Sequence, residues 1–182
     1  GPPNPDSPPP PPPNLAAPPP PTARLLTIPD GIAGVRATLK LMARAAADGK
    51  KHLNVRIAAL EITQPLQQRD FISEVRALHA FVRDRIRYVR DVAGVETLQT
   101  PERTLALKAG DCDDKSILLA ALLESIGHKT RFHAVGFAPG KFSHVYPEVR
   151  VRTSWLPLEV TEPWAPGRAP RAVEHMIINV AR

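Results

Sequence analysis

The sequence predicts an α+β domain behind a proline-rich extended arm. Three observations carry that prediction. Residues 1–29 hold fourteen of the 22 prolines. From Asp30 to Gly127 apolar residues recur at helical spacing, and beyond Gly127 the period falls to two, as in strands. A run of helices followed by a run of antiparallel strands is an α+β order. The 182 residues suffice for one ordinary domain, so the division expected is an arm over 1–29 and one domain over 30–182.

The arm includes the unbroken runs Pro8 to Pro13 and Pro18 to Pro21. Such a segment favours polyproline II, which has no internal hydrogen bonds and little to bury. It is expected to lie outside the core and, when ordered, to contact another chain. In "DGIAGVRATLKLMARAAADG", Ile32, Val35, Leu39 and Met42 form a helical stripe that Gly49 ends. "LNVRIAALEIT" has β-branched residues suited to a strand, yet Val55, Ala58, Ala59 and Ile62 share a helix face, and a helix is expected. "DFISEVRALHAFVRDRIRYVR" is the clearest helix, with Phe71, Val75, Leu78, Val82 and Ile86 on one stripe. A connector from Asp91 to Gln99 follows. Thr100 then reads as an N-cap with Pro101 at the first helical position, opening a short helix that stops at Gly110.

The next helix starts at Cys112, runs to about Ile126 and ends at Gly127. It is apolar nearly all round, with Ile117, Leu118, Ala121, Leu122 and Ser125 on its inward face, and should be buried. "KTRFHAVGF", "SHVYPEVRV" and "SWLPLEVT" then alternate like strands between turn residues. A last short strand is expected over Met176 to Val180. No internal repeat is visible.

Composition excludes several classes. A single cysteine rules out an intrachain disulfide framework and a multi-cysteine zinc site, and fits a reducing compartment. No apolar run approaches the roughly 20 residues of a membrane span. No secretory signal is visible, and the start at Gly1 without Met leaves open a processed start and an upstream targeting segment. The net charge is +6. The densest basic run, "RDRIRYVR", has an acid inside it and lies on an amphipathic helix, so an Arg-rich surface is favoured over a nucleic-acid site. "DCDD" lacks the spacing and glycine of a calcium loop. No phosphate-cradling glycine loop and no metalloprotease histidine pair is present, and no metal or cofactor is expected.

The lone thiol is the chemical clue. Cys112 follows a Gly-Asp turn and opens a helix, where unpaired N–H groups and the helix dipole stabilise a thiolate. A lone cysteine is most often a small core residue, but a helix start beside Asp111, Asp113 and Asp114 is a poor place for burial. Asp113 and Asp114 raise a neighbouring thiol's pKa unless they point away or pair with Lys115 and the arginines. A cation near the sulfur is therefore required, and histidine is the usual one. Of the six histidines, His52, His79 and His128 fall on helices or at a helix end, where exposed or partly buried roles are expected, and His175 falls in the tail. His133 and His144 lie in the strands. His144, at the start of a strand, is best placed to meet a helix-borne thiol. Glu159 and Glu162 are the acids that can fix the ring. Glu159 is one hairpin away and shares a strand face with Thr161.

The order of "GDCDDKSILLAALLESIG", "SHVYPEV" and "WLPLEVT" resembles the transglutaminase-like superfamily of papain-like thiol enzymes. The resemblance covers roughly residues 35 to 168, with Glu159 standing where that superfamily commonly has Asp. "FVRDRIRYV…TLQTPERTL" is similar to versions encoded among tailed-phage and prophage structural genes. The resemblance implies a papain-like core and Cys-His-acid chemistry on a peptide or amide substrate. Cys112 is the nucleophile, His144 the base and Glu159 the residue that orients it. The Cys112 N–H and the Gln99 side chain are the expected oxyanion donors. Hydrolysis and transfer to an amine both remain open. The rival expectation is a structural part of a phage tail tip or baseplate, joined to other virion subunits through the proline-rich arm. The expected location is a virion or the bacterial cytoplasm.

Overall fold

The computed structural model describes residues 31–66, 70–90 and 98–180, with helices first in the chain and the sheet last. The expected arm of residues 1–29 and most of the connector from Asp91 to Gln99 lie outside the described residues.

Helix α1 spans Gly31–Gly49 and buries Val35, Leu39, Met42, Ala43 and Ala46. Ile32, expected on that stripe, is 58 % exposed, so the stripe closes only from Val35 onward. Helix α2, Leu53–Thr63, settles the ambiguous segment as a helix and buries a narrow strip, Val55 and Ala59. Helix α3, Phe71–Arg85, buries Val75, Leu78, His79 and Val82. Phe71 stays outside the core. Its ring meets the His128 ring edge-on at 5.5 Å, an edge contact in place of full burial.

After α3 the chain forms β1, Arg87–Tyr88, and later α4, Pro101–Leu107, with Thr100 as N-cap and Pro101 in the first turn. A Cβ on Gly49 would come within 2.4 Å of Pro101 Cγ, so only glycine lets the end of α1 approach the start of α4 this closely. The expected helix to Gly110 stops three residues early. Lys108 takes a left-handed conformation, φ 51°, and turns the chain into β2, Ala109–Gly110. β2 pairs in parallel with β1, Arg87 opposite Ala109 and Tyr88 opposite Gly110.

Helix α5, Cys112–Ser125, is enclosed as its composition requires, and every residue from Cys112 to Leu123 is buried. Gly127 ends it at φ 98°, a conformation side chains resist. Ile117 and Ala120 join Val35, Leu39, Met42, Phe132, Ala134 and Val145 in one apolar cluster. Leu118, Leu119, Leu122 and Leu123 join Val55, Val75, Leu78, Val82 and Leu158 in another. α5 is thus the post around which the other helices and the sheet close. Full burial of each leucine contributes about 1.5–3 kcal/mol.

The sheet contains β3, Thr130–Gly136, β4, His144–Val151, β5, Ser154–Pro157, and β6, Glu174–Asn179. It is antiparallel in the order β5-β4-β3-β6. Phe132 and Ala134 of β3 are fully buried, and the alternate residues set His133 opposite Tyr146 and Val135 opposite His144. The expected strand "SWLPLEVT" ends at Pro157. Leu158 N still donates to Pro147 O at 2.9 Å. The amides of Val160 and Thr161 instead bond the Glu159 carboxylate at 3.0 Å each, and the ladder stops there. No described helix is long and apolar enough to cross a membrane.

Candidate active site

The stretch Gly110 to Lys115 packs polar groups where the helix rule expects solvent. Asp111 is the N-cap of α5, and its Oδ1 accepts the Asp114 amide at 2.9 Å. Asp114 reaches back, and its Oδ2 accepts the Asp111 amide at 3.1 Å, closing a capping box. Asp114 also holds Gln99. Oδ1 accepts the Gln99 backbone N–H at 2.9 Å, and Oδ2 accepts Gln99 Nε2 at 3.0 Å. A Cβ on Gly110 would lie 2.7 Å from Asp114 Cβ and 3.2 Å from Gln99 Nε2, so this arrangement needs glycine there. Two of the three acids beside the thiol are therefore parts of the helix start.

Cys112 occupies the first turn, 3 % exposed, with Sγ 3.4 Å from Asp113 Oδ1. The expectation that flanking acids keep this position out of the interior is overturned. Asp111, Asp113, Asp114 and Lys115 are all buried with it. Asp111 and Asp114 find partners within the turn and from Gln99, and Lys115 Nζ donates to the Arg83 carbonyl of α3, which lowers the penalty that made burial look unfavourable.

At the start of β4, His144 Nε2 lies 2.6 Å from Glu159 Oε2, in a buried pair. The other Glu159 oxygen accepts the Val160 and Thr161 amides and the Thr161 hydroxyl, the last at 2.9 Å. Burial pushes the Glu159 carboxyl up. His144 and the Thr161 donors outweigh it and hold the group below the usual glutamate range. Glu159, rather than Glu162, makes the bond to His144. His144 Nδ1 is buried and has no hydrogen-bond partner among the described residues. The ring is thus oriented by one nitrogen while the other remains for a reacting group. α5 packs on β4, and Cys112 belongs to the same apolar cluster as Phe142 and Val145, which bracket His144 in sequence.

Several supporting residues escaped the sequence reading. His79, expected to be exposed or partly buried, is 1 % exposed, and its Nε2 meets the Glu159 backbone oxygen at 2.5 Å. Its signal was present: position 79 falls on the same helix face as Val75, Leu78 and Val82. Lys115 is 2 % exposed and donates from Nζ to Arg83 O at 3.2 Å. Burial lowers its pKa to about 8, against the opposing pull of Asp84, Glu159 and Cys112. Next to His144 on its face of the sheet, the Tyr146 hydroxyl meets His133 Nδ1 at 3.1 Å, and His133 Nε2 meets His175 Nδ1 at 2.9 Å.

Gln99 stands beside the helix start, as the oxyanion expectation needs. Both protons of its amide are engaged, one by Asp114 and one by the Ala109 carbonyl at 3.2 Å. In this arrangement it braces Asp114. No group of three or more candidate metal ligands occurs among the described residues.

Residues 58–160 match the model of the transglutaminase-like superfamily core. No curated protein matches the sequence. Among the solved structures that match, one from Cytophaga hutchinsonii is described as a candidate cysteine protease. It shares 16 % identity, with a TM-score of 0.50 over 71 % of this chain and 52 % of its own. Another, from Parabacteroides distasonis and described as a candidate protease, shares 10 % identity, with a TM-score of 0.58 over 80 % of this chain and 29 % of its own. At these identities the likeness is one of fold, and the chain spans about half of the first structure and less than a third of the second.

Proposed function

Because the chain belongs to the transglutaminase-like superfamily, we propose that it is a thiol-dependent acyl-transfer enzyme acting on peptide or side-chain amides through Cys112, His144 and Glu159. The observation that carries this reading is the buried His144–Glu159 bond, which leaves His144 Nδ1 as the nitrogen for the thiol proton. Cys112 Sγ attacks the amide carbonyl while His144 takes its proton. The tetrahedral oxyanion is met by the Cys112 backbone N–H at the start of α5, where the helix dipole favours negative charge. The intermediate collapses as His144 returns the proton to the leaving amine, and the thioester passes to water or to a second amine. Glu159 keeps the ring in the tautomer with Nε2–H and offsets the imidazolium charge.

Cys112 and His144 are 3 % and 5 % exposed. Such a closed site favours a slim acyl group, an extended peptide or a side-chain carboxamide. The test is to assay hydrolysis of a peptide amide library and incorporation of a labelled amine, in wild type and Cys112→Ala. Both activities, or the one present, should vanish in the variant while the circular dichroism spectrum stays unchanged. Activity surviving in Cys112→Ala would overturn the assignment.

Carriage in a phage particle, as scaffold or particle-borne enzyme, is a proposal supported by the resemblance of "FVRDRIRYV…TLQTPERTL" to phage structural genes. A scaffold gives fully infectious Cys112→Ala particles, whereas a particle-borne enzyme gives particles that assemble and fail later.

A further inference from the structure

We propose that the outer edge of β6 is an interface at which two copies of this chain pair, β6 against β6, into one continuous sheet. The inference stands independently of the thiol chemistry proposed above.

The sheet ends on β5 at one side and on β6 at the other. A sheet edge exposes N–H and C=O groups that template further pairing, and proteins blunt it with short strands, proline, lysine or a covering loop. The β5 edge is blunted in this way. That strand has four residues, Pro157 has no N–H to offer, and the Pro157 carbonyl accepts the Gly167 amide at 2.9 Å. The β6 edge is not. Its six residues, Glu174 to Asn179, include no proline and no lysine, and its one carboxylate, Glu174, stands at the end.

Which groups of β6 face outward follows from the alternation of antiparallel bonds. Val180 N donates to Thr130 O at 3.1 Å. In the β3–β6 register, residues 180, 178 and 176 therefore bond β3, and His175, Ile177 and Asn179 turn their N–H and C=O groups away from it. No described strand lies beyond them. The side chains fit a covered margin as well. Ile177 is 41 % exposed, and the exposed Val173 and Phe137 adjoin the same strand, Val173 N donating to Gly136 O at 2.9 Å. His175 is drawn back over the sheet, its Nδ1 2.9 Å from His133 Nε2, and leaves the edge clear.

The edge is complementary to itself. In a two-fold pair whose sheets continue into each other, opposed side chains share a face, so opposed residues differ by an even number. A register centred on Ile177 meets this condition and engages all three outward residues. Ile177 meets its own counterpart, and His175 of each copy meets Asn179 of the other. Each such residue exchanges both bonds with its partner, about six in all. The β-branched pair at the centre packs side by side. The two Glu174 carboxylates fall at opposite ends of the pairing, so no like charges meet. This fit, together with the apolar margin, identifies the occupant as a second copy.

The test follows sedimentation velocity and amide hydrogen exchange of the full chain from low to high micromolar concentration. The chain should pass from monomer to dimer. Over the same range the amides of His175, Ile177 and Asn179 should slow by about tenfold or more. Those of Met176, Ile178 and Val180, bonded to β3, should exchange slowly at every concentration. Ile177→Lys sets two ammonium groups together on the two-fold axis and should move dimerisation to concentrations about tenfold higher or more. Ile177 is half-exposed in the monomer, so the circular dichroism spectrum of the variant should match wild type. A chain that stays monomeric with all three outward amides exchanging fast would overturn the proposal. Protection of those amides in a monomer at every concentration would also overturn it, and would assign the edge to another segment of this chain, residues 1–30 included. A dimer that Ile177→Lys leaves unmoved would overturn it too, since the interface would then lie on a different surface.

Discussion

At the start of α3, Asp70 accepts the Ser73 amide at 3.1 Å and the Ser73 hydroxyl at 2.6 Å. At the start of α5, Asp111 accepts the Asp114 amide at 2.9 Å, and Asp114 returns to the Asp111 amide at 3.1 Å. The local chemistry is the same: an aspartate satisfies helix N–H groups that would otherwise lack partners. The surroundings differ. Asp70 is followed by Phe71, 62 % exposed, whereas Asp111 is 2 % exposed and is followed by four more buried residues of high polarity or reactivity. At α3 the cap competes with water and trims the end of a surface helix. At α5 no water substitutes for a lost partner, and the same device sets the position of a thiol.

The largest effect should come from Asp114→Ala. It removes the acceptors of the Asp111 amide, the Gln99 amide and the Gln99 side chain. Each buried donor left without a partner costs about 1–3 kcal/mol, so urea denaturation should show a loss of more than ~3 kcal/mol, together with loss of thiol reactivity. A loss no greater than that of Asp70→Ala would erase the contrast between the two helix starts.

Acid sensitivity should rank next. Burial holds the His79 imidazole below its usual pKa, more than the Glu159 carbonyl raises it. A folded-state value below the unfolded 6.5 means that the unfolded chain binds the proton more readily. The contribution of His79 is complete above about pH 6.5 and is lost as pH falls below it. Glu159, also depressed, adds to the loss at lower pH, because its stabilisation fades as pH drops through its folded value. The melting temperature should therefore fall from pH 7 to pH 5, and His79→Gln should flatten that slope. A flat wild-type profile would refute the His79 assignment.

Gly110→Ala should cost about 1–3 kcal/mol, since the new methyl group overpacks against Asp114 and Gln99. Smallest is Asp70→Ala, about 1 kcal/mol, read by the same denaturation. An Asp70 effect equal to that of Gly110→Ala would show that burial is not what separates the two regions.

The parts legible in the sequence were those governed by periodicity or local chemistry. The unbroken apolar run of α5 could only be a central helix, and Pro101 and Gly127 marked helix ends, whereas Glu159 and Thr161, expected together on a strand face, meet past the strand end, where Thr161 bonds the Glu159 carboxylate. The polar start of α5 was misread because charge was taken as a sign of exposure. Partners such as Gln99, fifteen residues away in sequence from Asp114, leave no local mark. His79, expected exposed or partly buried, and Lys115, expected as a partner for the flanking acids, were misassigned for the same reason, since their contacts with the Glu159 and Arg83 carbonyls depend on how distant segments meet. β1 and β2 have two residues each, too few to display any alternation.

That short pairing insulates one part of the chain from another. Arg87 N donates to Lys108 O at 2.8 Å, and Val89 N to Gly110 O at 2.9 Å. The pair works as a clasp at the base of everything between them, so the position of Cys112 is set by the clasp and not by the length of the intervening segment. The clasp closes at Gly110, two residues before the thiol, so any shift at the end of α3 is handed directly to the N-cap Asp111 and from there to Cys112.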